Sequence, residues 1–243
     1  RSYLIYQTDP SSGTNNFGVA MSSDGTWQSG SGFDSGVAVS NYLNQWVHLA
    51  LTKSGTNATL YLNGNSIGTT SSAPSTLHAS TEAFFVGKMN GNNIHTTGYI
   101  SDVRLVNGSV VYTSNFTPPT APLTAITNTK FLLNPETSIS DLSQRNALIC
   151  LGDLETSTTQ VKFAGTKSIY FAGSDDYIHV PNSGTNSAFS LNSTKFTIEG
   201  WFYKETLGNF HAIISKYRWA NNLSWSFDHL DGGNFRFRYS TDG

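Results

Sequence analysis

Residues 45–69 carry the clearest pattern of apolar and polar positions in the chain. Trp46, His48 and Ala50 alternate with Val47, Leu49 and Leu51, the two-residue period of a strand with one face buried. Lys53-Ser54-Gly55-Thr56-Asn57 interrupts that run with turn formers, and Leu60, Tyr61 and Leu62 resume it. The second run ends at Asn63-Gly64. Asn-Gly supplies the positive φ angles of a type I′ turn, so a further hairpin is predicted there. Comparable short runs, set between Gly, Asn, Ser and Pro clusters, predict strands at 3–7, 17–22, 83–88, 98–106, 130–134, 161–163, 168–172, 177–180, 195–203, 212–217, 224–229 and 234–239. Helical periodicity is nearly absent. The pattern predicts an all-β chain of antiparallel sheets packed face to face.

Phe116-Thr117-Pro118-Pro119-Thr120-Ala121-Pro122 divides the strands into two groups. Proline removes ladder donors and favours extended geometry, so this segment must leave a sheet. Residues 1–123 therefore read as one unit, 124–128 as a linker and 129–243 as a second. The two ends also repeat each other. Tyr3-Leu4-Ile5 resembles Ala212-Ile213-Ile214, Asn15-Asn16-Phe17 resembles Asn221-Asn222-Leu223, and Asp24-Gly25 resembles Asp231-Gly232, at nearly constant spacing.

Several longer segments carry a family likeness. Residues 163–183, 196–205, 212–217 and 224–243 resemble the first half of a laminin-G-like jelly roll of the concanavalin A-like superfamily. Residues 45–53, 60–64 and 98–123 resemble its second half. The wording of the last segment is similar to modules of phage tail-fibre and virion surface proteins. Here the second half precedes the first. The expected fold is an antiparallel jelly-roll sandwich present as two complementary partial repeats. Residues 1–123 hold the closing strands and 129–243 the opening strands of a following module. A segment of a tandem array, a circular permutant and halves completed between chains all fit this order, and the duplicated segment favours the first. A half sandwich would leave a sheet face and several edges in water. Each missing face is therefore expected to be covered by adjoining sequence, a neighbouring copy or the other half.

Composition narrows the function classes. Fourteen Lys and Arg face sixteen Asp and Glu, a net charge of −2, and charged residues make up only 12%. That balance argues against nucleic acid and against an anionic membrane as partners. No apolar run reaches the roughly eighteen residues of a membrane span, so membrane insertion is not expected. The polarity comes from Ser, Thr, Asn and Gly, which suits a virion surface or another extracellular setting. Cys150 is the single cysteine and reads as a small hydrophobe between Ile149 and Leu151.

Candidate chemistry is sparse. Asp175 and Asp176, in Ser174-Asp175-Asp176-Tyr177, form the densest carboxylate pair in a turn. They are the candidate calcium ligands, and some laminin-G-like relatives hold calcium at the sandwich rim. A hairpin turn closed by an Asp side chain explains the same residues. Trp219, Asn221 and Asn222 place an aromatic face beside amides between two strands, a pattern suited to a sugar ring. Glu199 stands in a nearly continuous apolar strand and needs a partner there. Asp102 precedes Arg104 on one strand face and is expected to bond backbone or a neighbouring arginine. Trp46 and Trp201 are expected in the core, with Leu49, Leu60, Leu62, Ile100, Val103 and Leu105 in the first unit and Phe163, Ile169, Phe171, Ile178, Phe196, Ile198 and Phe202 in the second. No catalytic residues are expected, because glycan hydrolysis needs two carboxylates about 5–10 Å apart in a cleft. The resemblance implies a non-enzymatic adhesion module that binds a cell-surface glycan or receptor and contacts neighbouring copies or adjoining domains. A structural virion decoration protein is the alternative, and a glycan hydrolase a more distant one.

Overall fold

The computed structural model describes residues 16–19, 33–75, 77, 83–89, 94–136, 138–181, 188–191, 193–205, 211–218, 222–229 and 235–239. The strand predicted at 3–7 and the candidate residues Trp219 and Asn221 lie outside these. In chain order the strands are β1 (Asn16–Val19), β2 (Phe33–Ala38), β3 (Trp46–Ser54), β4 (Asn57–Leu62), β5 (Asn65–Thr70), β6 (Phe84–Val86), β7 (Lys88–Met89), β8 (Ile94–His95) and β9 (Thr97–Asn107). They continue as β10 (Thr129–Leu133), β11 (Ile149–Leu151), β12 (Glu155–Ser157), β13 (Ser168–Ala172), β14 (Tyr177–Val180), β15 (Lys195–Tyr203), β16 (His211–Arg218), β17 (Asn222–His229) and β18 (Phe235–Tyr239). Among the described residues the helical content is one 3-10 turn, Val39–Tyr42.

The first sheet runs β11-β14-β6-β16-β17-β18-β1-β2. The second runs β12-β13-β9-β15-β3-β4-β5, with β10 and β13 sharing one edge of β9. The fold is an antiparallel jelly-roll sandwich, and β1–β18 is the parallel exception among the described ladders. The predicted hairpins are present. Asn63 and Gly64 hold φ angles of 49° and 79° between β4 and β5, the positive pair a type I′ turn requires.

One hydrophobic cluster fills the space between the sheets. Leu49, Leu51, Leu60, Ile198 and Phe202 of the second sheet join Phe84, Val86, Ile178, Ile214 and Trp225 of the first. The cluster draws on both halves of the sequence, and so do the sheets. β15 lies between β9 and β3, with Ile198 opposite both Leu105 and Leu51. β6 lies between β14 and β16. Strands from residues 1–123 and from 129–243 are thus paired side by side within both sheets. The repeat finds a place as well: β1 begins at the second asparagine of one Asn-Asn motif, β17 at the second asparagine of the other, and both strands lie in the first sheet.

Several expectations change. The segment predicted as a strand at 161–163 is a bend leading into a turn. Cys150 is not packed away: β11 is an edge strand, and Ile149, Cys150 and Leu151 are all exposed. Trp46 and Trp201 stand outside the central cluster. Both sit on the alternate positions of their strands, with His48 and Glu199, and so belong to the outer face of the second sheet.

Candidate functional site

The outer face of the second sheet is covered by its own chain. Residues 108–126 fold back across β9, β15, β3 and β4 as a strap. Val111 donates its amide to the Thr197 hydroxyl at 2.9 Å, and Phe116 donates to the Gly64 carbonyl at 2.9 Å. Tyr112 and Phe116 stack at 3.5 Å between ring centroids and meet the rings of His48 and Tyr61 edge-on. A bulge at Asp102, where φ is +54°, inserts one extra residue opposite the Glu199–Trp201 step. The insertion lets both Ile100 and Val103 reach the core. It also aims the Asp102 carboxylate at the strap, where it accepts the Leu123 amide at 2.8 Å and the Ser101 hydroxyl at 2.6 Å.

Glu199 is the centre of this face and is fully buried. Its Oε1 accepts Arg104 Nε at 2.9 Å and Nη2 at 2.6 Å, and its Oε2 accepts the Tyr112 hydroxyl at 2.7 Å. Arg104 Nη1 donates to the Thr124 carbonyl at 2.8 Å, tying the strap to the same group. His48 Nε2 lies 3.3 Å from Oε2 without the alignment of a hydrogen bond. Burial alone would push the Glu199 carboxyl up, but His48, the Arg104 guanidinium and the Tyr112 hydroxyl outweigh it and hold the group below its ordinary range. Burial and the Glu199 charge in turn raise the Tyr112 phenol. The partner that the sequence required for Glu199 is therefore Arg104, and the pair fastens the strap. Asp102, as expected, bonds backbone, while burial pushes its carboxyl up.

Beside the strap lies an open groove of about 920 Å³, within the size range of ligand sites. Trp46, Asn63 and Trp201 come from the sheet, Thr117–Pro122 from the strap, Lys162–Thr166 from the loop before β13, and Glu136 from the segment after β10. Trp46 packs on Tyr203, its cross-strand partner, with centroids 5.6 Å apart. Trp201 packs on His48 at 4.9 Å and on Phe163 at 6.0 Å. The indole N–H groups of both tryptophans are buried without a hydrogen-bond partner among the described residues. A buried donor left unmatched costs about 1–3 kcal/mol, so two at one groove require an explanation. Lys162 lays its ammonium 3.7 Å above the Trp201 ring centroid, and burial lowers its proton affinity. Glu136, at the exposed rim, is the only carboxylate among the residues lining the groove.

Of the residues singled out from sequence, Asp175, Asp176 and Asn222 are not among those lining the groove. Asp176 is buried, and its two oxygens accept the amides of Asp153 at 2.8 Å and Ala172 at 2.7 Å. Asp175 is exposed and accepts the Ser174 hydroxyl at 2.9 Å. Calcium takes six to eight oxygens, and no group of three or more acidic, His or Cys side chains converges among the described residues. As placed, the pair closes the turn and does not assemble that donor set. Asn222 opens β17, paired with Arg218 across the hairpin, and Trp219 and Asn221 fall outside the described residues. The groove tryptophans were visible only as expected core. The usable signal was their parity: Trp46 alternates with His48, and Trp201 with Glu199, so neither shares the apolar set of its strand.

Residues 2–113 match a family model, Laminin_G_3, described as the concanavalin A-like lectin/glucanases superfamily. No curated protein and no solved structure matches the chain. The match agrees with the jelly-roll sandwich and supports a lectin-like, carbohydrate-binding type of module. That superfamily also includes glucanases. Hydrolysis in the usual way calls for two carboxylates flanking the scissile bond, and the groove supplies one.

Proposed function

We propose that the protein is a non-enzymatic glycan-binding module serving adhesion, at a virion surface or another extracellular surface, and that the groove beside the strap is its site. The observation that carries this reading is the pair of tryptophans, Trp46 and Trp201, on the lining of one open groove, their buried indole N–H groups without a partner among the described residues. A sugar ring offers an apolar C–H face and a rim of hydroxyl acceptors. An indole offers an apolar ring and one donor, so the two surfaces are complementary. The family match supports the carbohydrate class, and the likeness of residues 98–123 to phage tail-fibre modules supports the adhesion role. The 219–222 loop is a second candidate contact.

One observation favours a different role. The edge strand β11 exposes Ile149, Cys150 and Leu151 together, and an apolar edge invites protein pairing. This suits a structural decoration or assembly protein.

Binding to a panel of immobilised neutral and acidic glycans separates these readings. The wild-type chain should retain at least one class, Trp46→Ala and Trp201→Phe should lose it, and Trp219→Ala should report on the loop. Retention by both groove variants would move the site elsewhere. No retention by the wild type would favour the assembly role.

A further inference from the structure

We infer that the groove is selective for acidic sugars: its ligand carries a carboxylate or sulfate, and Lys162 leaves the face of Trp201 to pair with that group. This rests on the glycan reading above and adds the charge class.

The argument is one of matching donors to acceptors. Three groups with unmet partners belong to residues lining the groove: the Trp46 and Trp201 indole N–H groups, buried and without a hydrogen-bond partner among the described residues, and the Lys162 ammonium. Lys162 makes no ion pair among the described residues; its recorded neighbours are the rings of Trp201, at 3.7 Å, and Phe163, at 5.8 Å. A half-buried cation resting on rings is poorly hydrated and has no full counter-charge. An anionic group answers both deficits, since it accepts hydrogen bonds without donating and neutralises the ammonium. The opposite wall reinforces the asymmetry. The strap residues there are Thr117, Thr120, Ala121 and three prolines, none of them charged, so the one cation among the residues lining the groove is Lys162.

Lys162 also controls access. Trp201 is only 4% exposed, and the ammonium sits over its ring, so a sugar cannot stack on Trp201 until Lys162 moves. A neutral sugar would have to displace the cation without compensation. An acidic one gives it a new partner. Glu136 opposes an anion lying across the whole groove, but it is exposed, where water and salt screen it. Its effect is to confine the charged group to the Lys162 side.

The test uses the full chain with trigalacturonate, its methyl ester, cellotriose and sulfated cellotriose. Calorimetry gives the affinities, and the indole N–H signals of Trp46 and Trp201 report the site. Trigalacturonate should shift both signals, and its ester should bind about tenfold or more weakly, as expected for loss of one charge-assisted bond. Lys162→Gln should lose that factor for the acid and bind the ester as tightly as the wild type or more tightly, since the neutral sugar no longer has to displace the cation. The sulfated arm shows whether sulfate serves in place of carboxylate. Equal affinity for acid and ester, or equal loss of both in Lys162→Gln, would overturn charge selection. Neutral cellotriose shifting the indole signals while neither acidic sugar does would also overturn it, leaving the glycan reading intact. If no sugar in this set or in the glycan panel shifts either signal, both readings fail.

Discussion

Replacing Glu199 with glutamine should be among the most damaging single-atom changes available to this fold. The side chain is 0% exposed and Arg104 is 6% exposed, so the guanidinium cannot recover its lost counter-charge from water. Two charge-assisted bonds to Arg104 become ordinary ones, at a loss of roughly 1–1.5 kcal/mol each. The stranded buried charge brings the total to about 3–5 kcal/mol, or a fall in Tm of about 10 °C for a chain of this size. Urea unfolding of the wild type, Glu199→Gln, Arg104→Met and the double variant measures it. The cycle should show a coupling of at least about 2 kcal/mol, because removing both charges leaves neither stranded. The effect should depend on acidity in a definite sense. The Glu199 carboxyl lies below its ordinary value of 4.5 in the folded state, so its contribution is complete above that pH and is lost as the pH falls through the lower, folded value. The gap between wild type and Glu199→Gln should therefore narrow from about pH 5 downward. A Glu199→Gln protein within about 1 kcal/mol of wild type, or an additive cycle, would refute the reasoning.

Lys53 and Lys204 are buried, and burial lowers both ammonium groups from 10.5 to about 8. The unfolded chain then holds more protons between those values, so stability should rise by about 1.5 kcal/mol per lysine from pH 8 to 9.5, a gain that Lys204→Met should reduce in urea titrations. Asp176→Ala strips the amides of Asp153 and Ala172 of their acceptor and should cost about 2 kcal/mol with or without calcium; a calcium-induced rise in the wild-type Tm, absent in the variant, would instead place a cation there. Gly64 and Gly165 both sit at φ +79°, but a Cβ at Gly64 would strike the Phe116 carbonyl while Gly165 faces open space. Gly165→Ala should cost about 1 kcal/mol and Gly64→Ala two to three times that, by thermal denaturation.

Legibility in the sequence followed the physics of exposure. The β3–β4–β5 hairpins were readable because Asn63-Gly64 encodes a conformation that few other pairs adopt. β9 and β15 were readable as strands, but not for orientation. Both of their faces are buried, one by the core and one by the strap, so alternation alone could not say which face was which. Trp201 was assigned to the core for that reason; it is buried, but on the outer face and not in the central cluster. The strap has no period to read: its prolines show that it leaves a sheet, whereas its return across the outer face depends on Asp102 and Arg104, residues 20 or so positions away. The Lys162–Trp201 contact joins residues 39 apart that no local signal links. Asp176 was legible as a turn residue because its bond to the Ala172 amide, four residues back, closes a local loop; its bond to Asp153, 23 residues away, had no local signal.

The position of β15 has a consequence for how the chain is made. β3 and β9 leave the ribosome first, yet they are not neighbours: the place between them belongs to a strand that ends at Tyr203, 96 residues after β9 ends at Asn107. At about 5–20 residues per second, the gap stays open for roughly 5–20 s. During that interval two long apolar strands each present an unpaired edge, and a neighbouring nascent chain offers the same edges. Crowded polysomes are thus a second setting, besides the β11 edge of the finished protein, in which this fold is exposed to mispairing. Slower synthesis before residue 195 should lower the soluble yield, and a chaperone that shields strand edges should restore it.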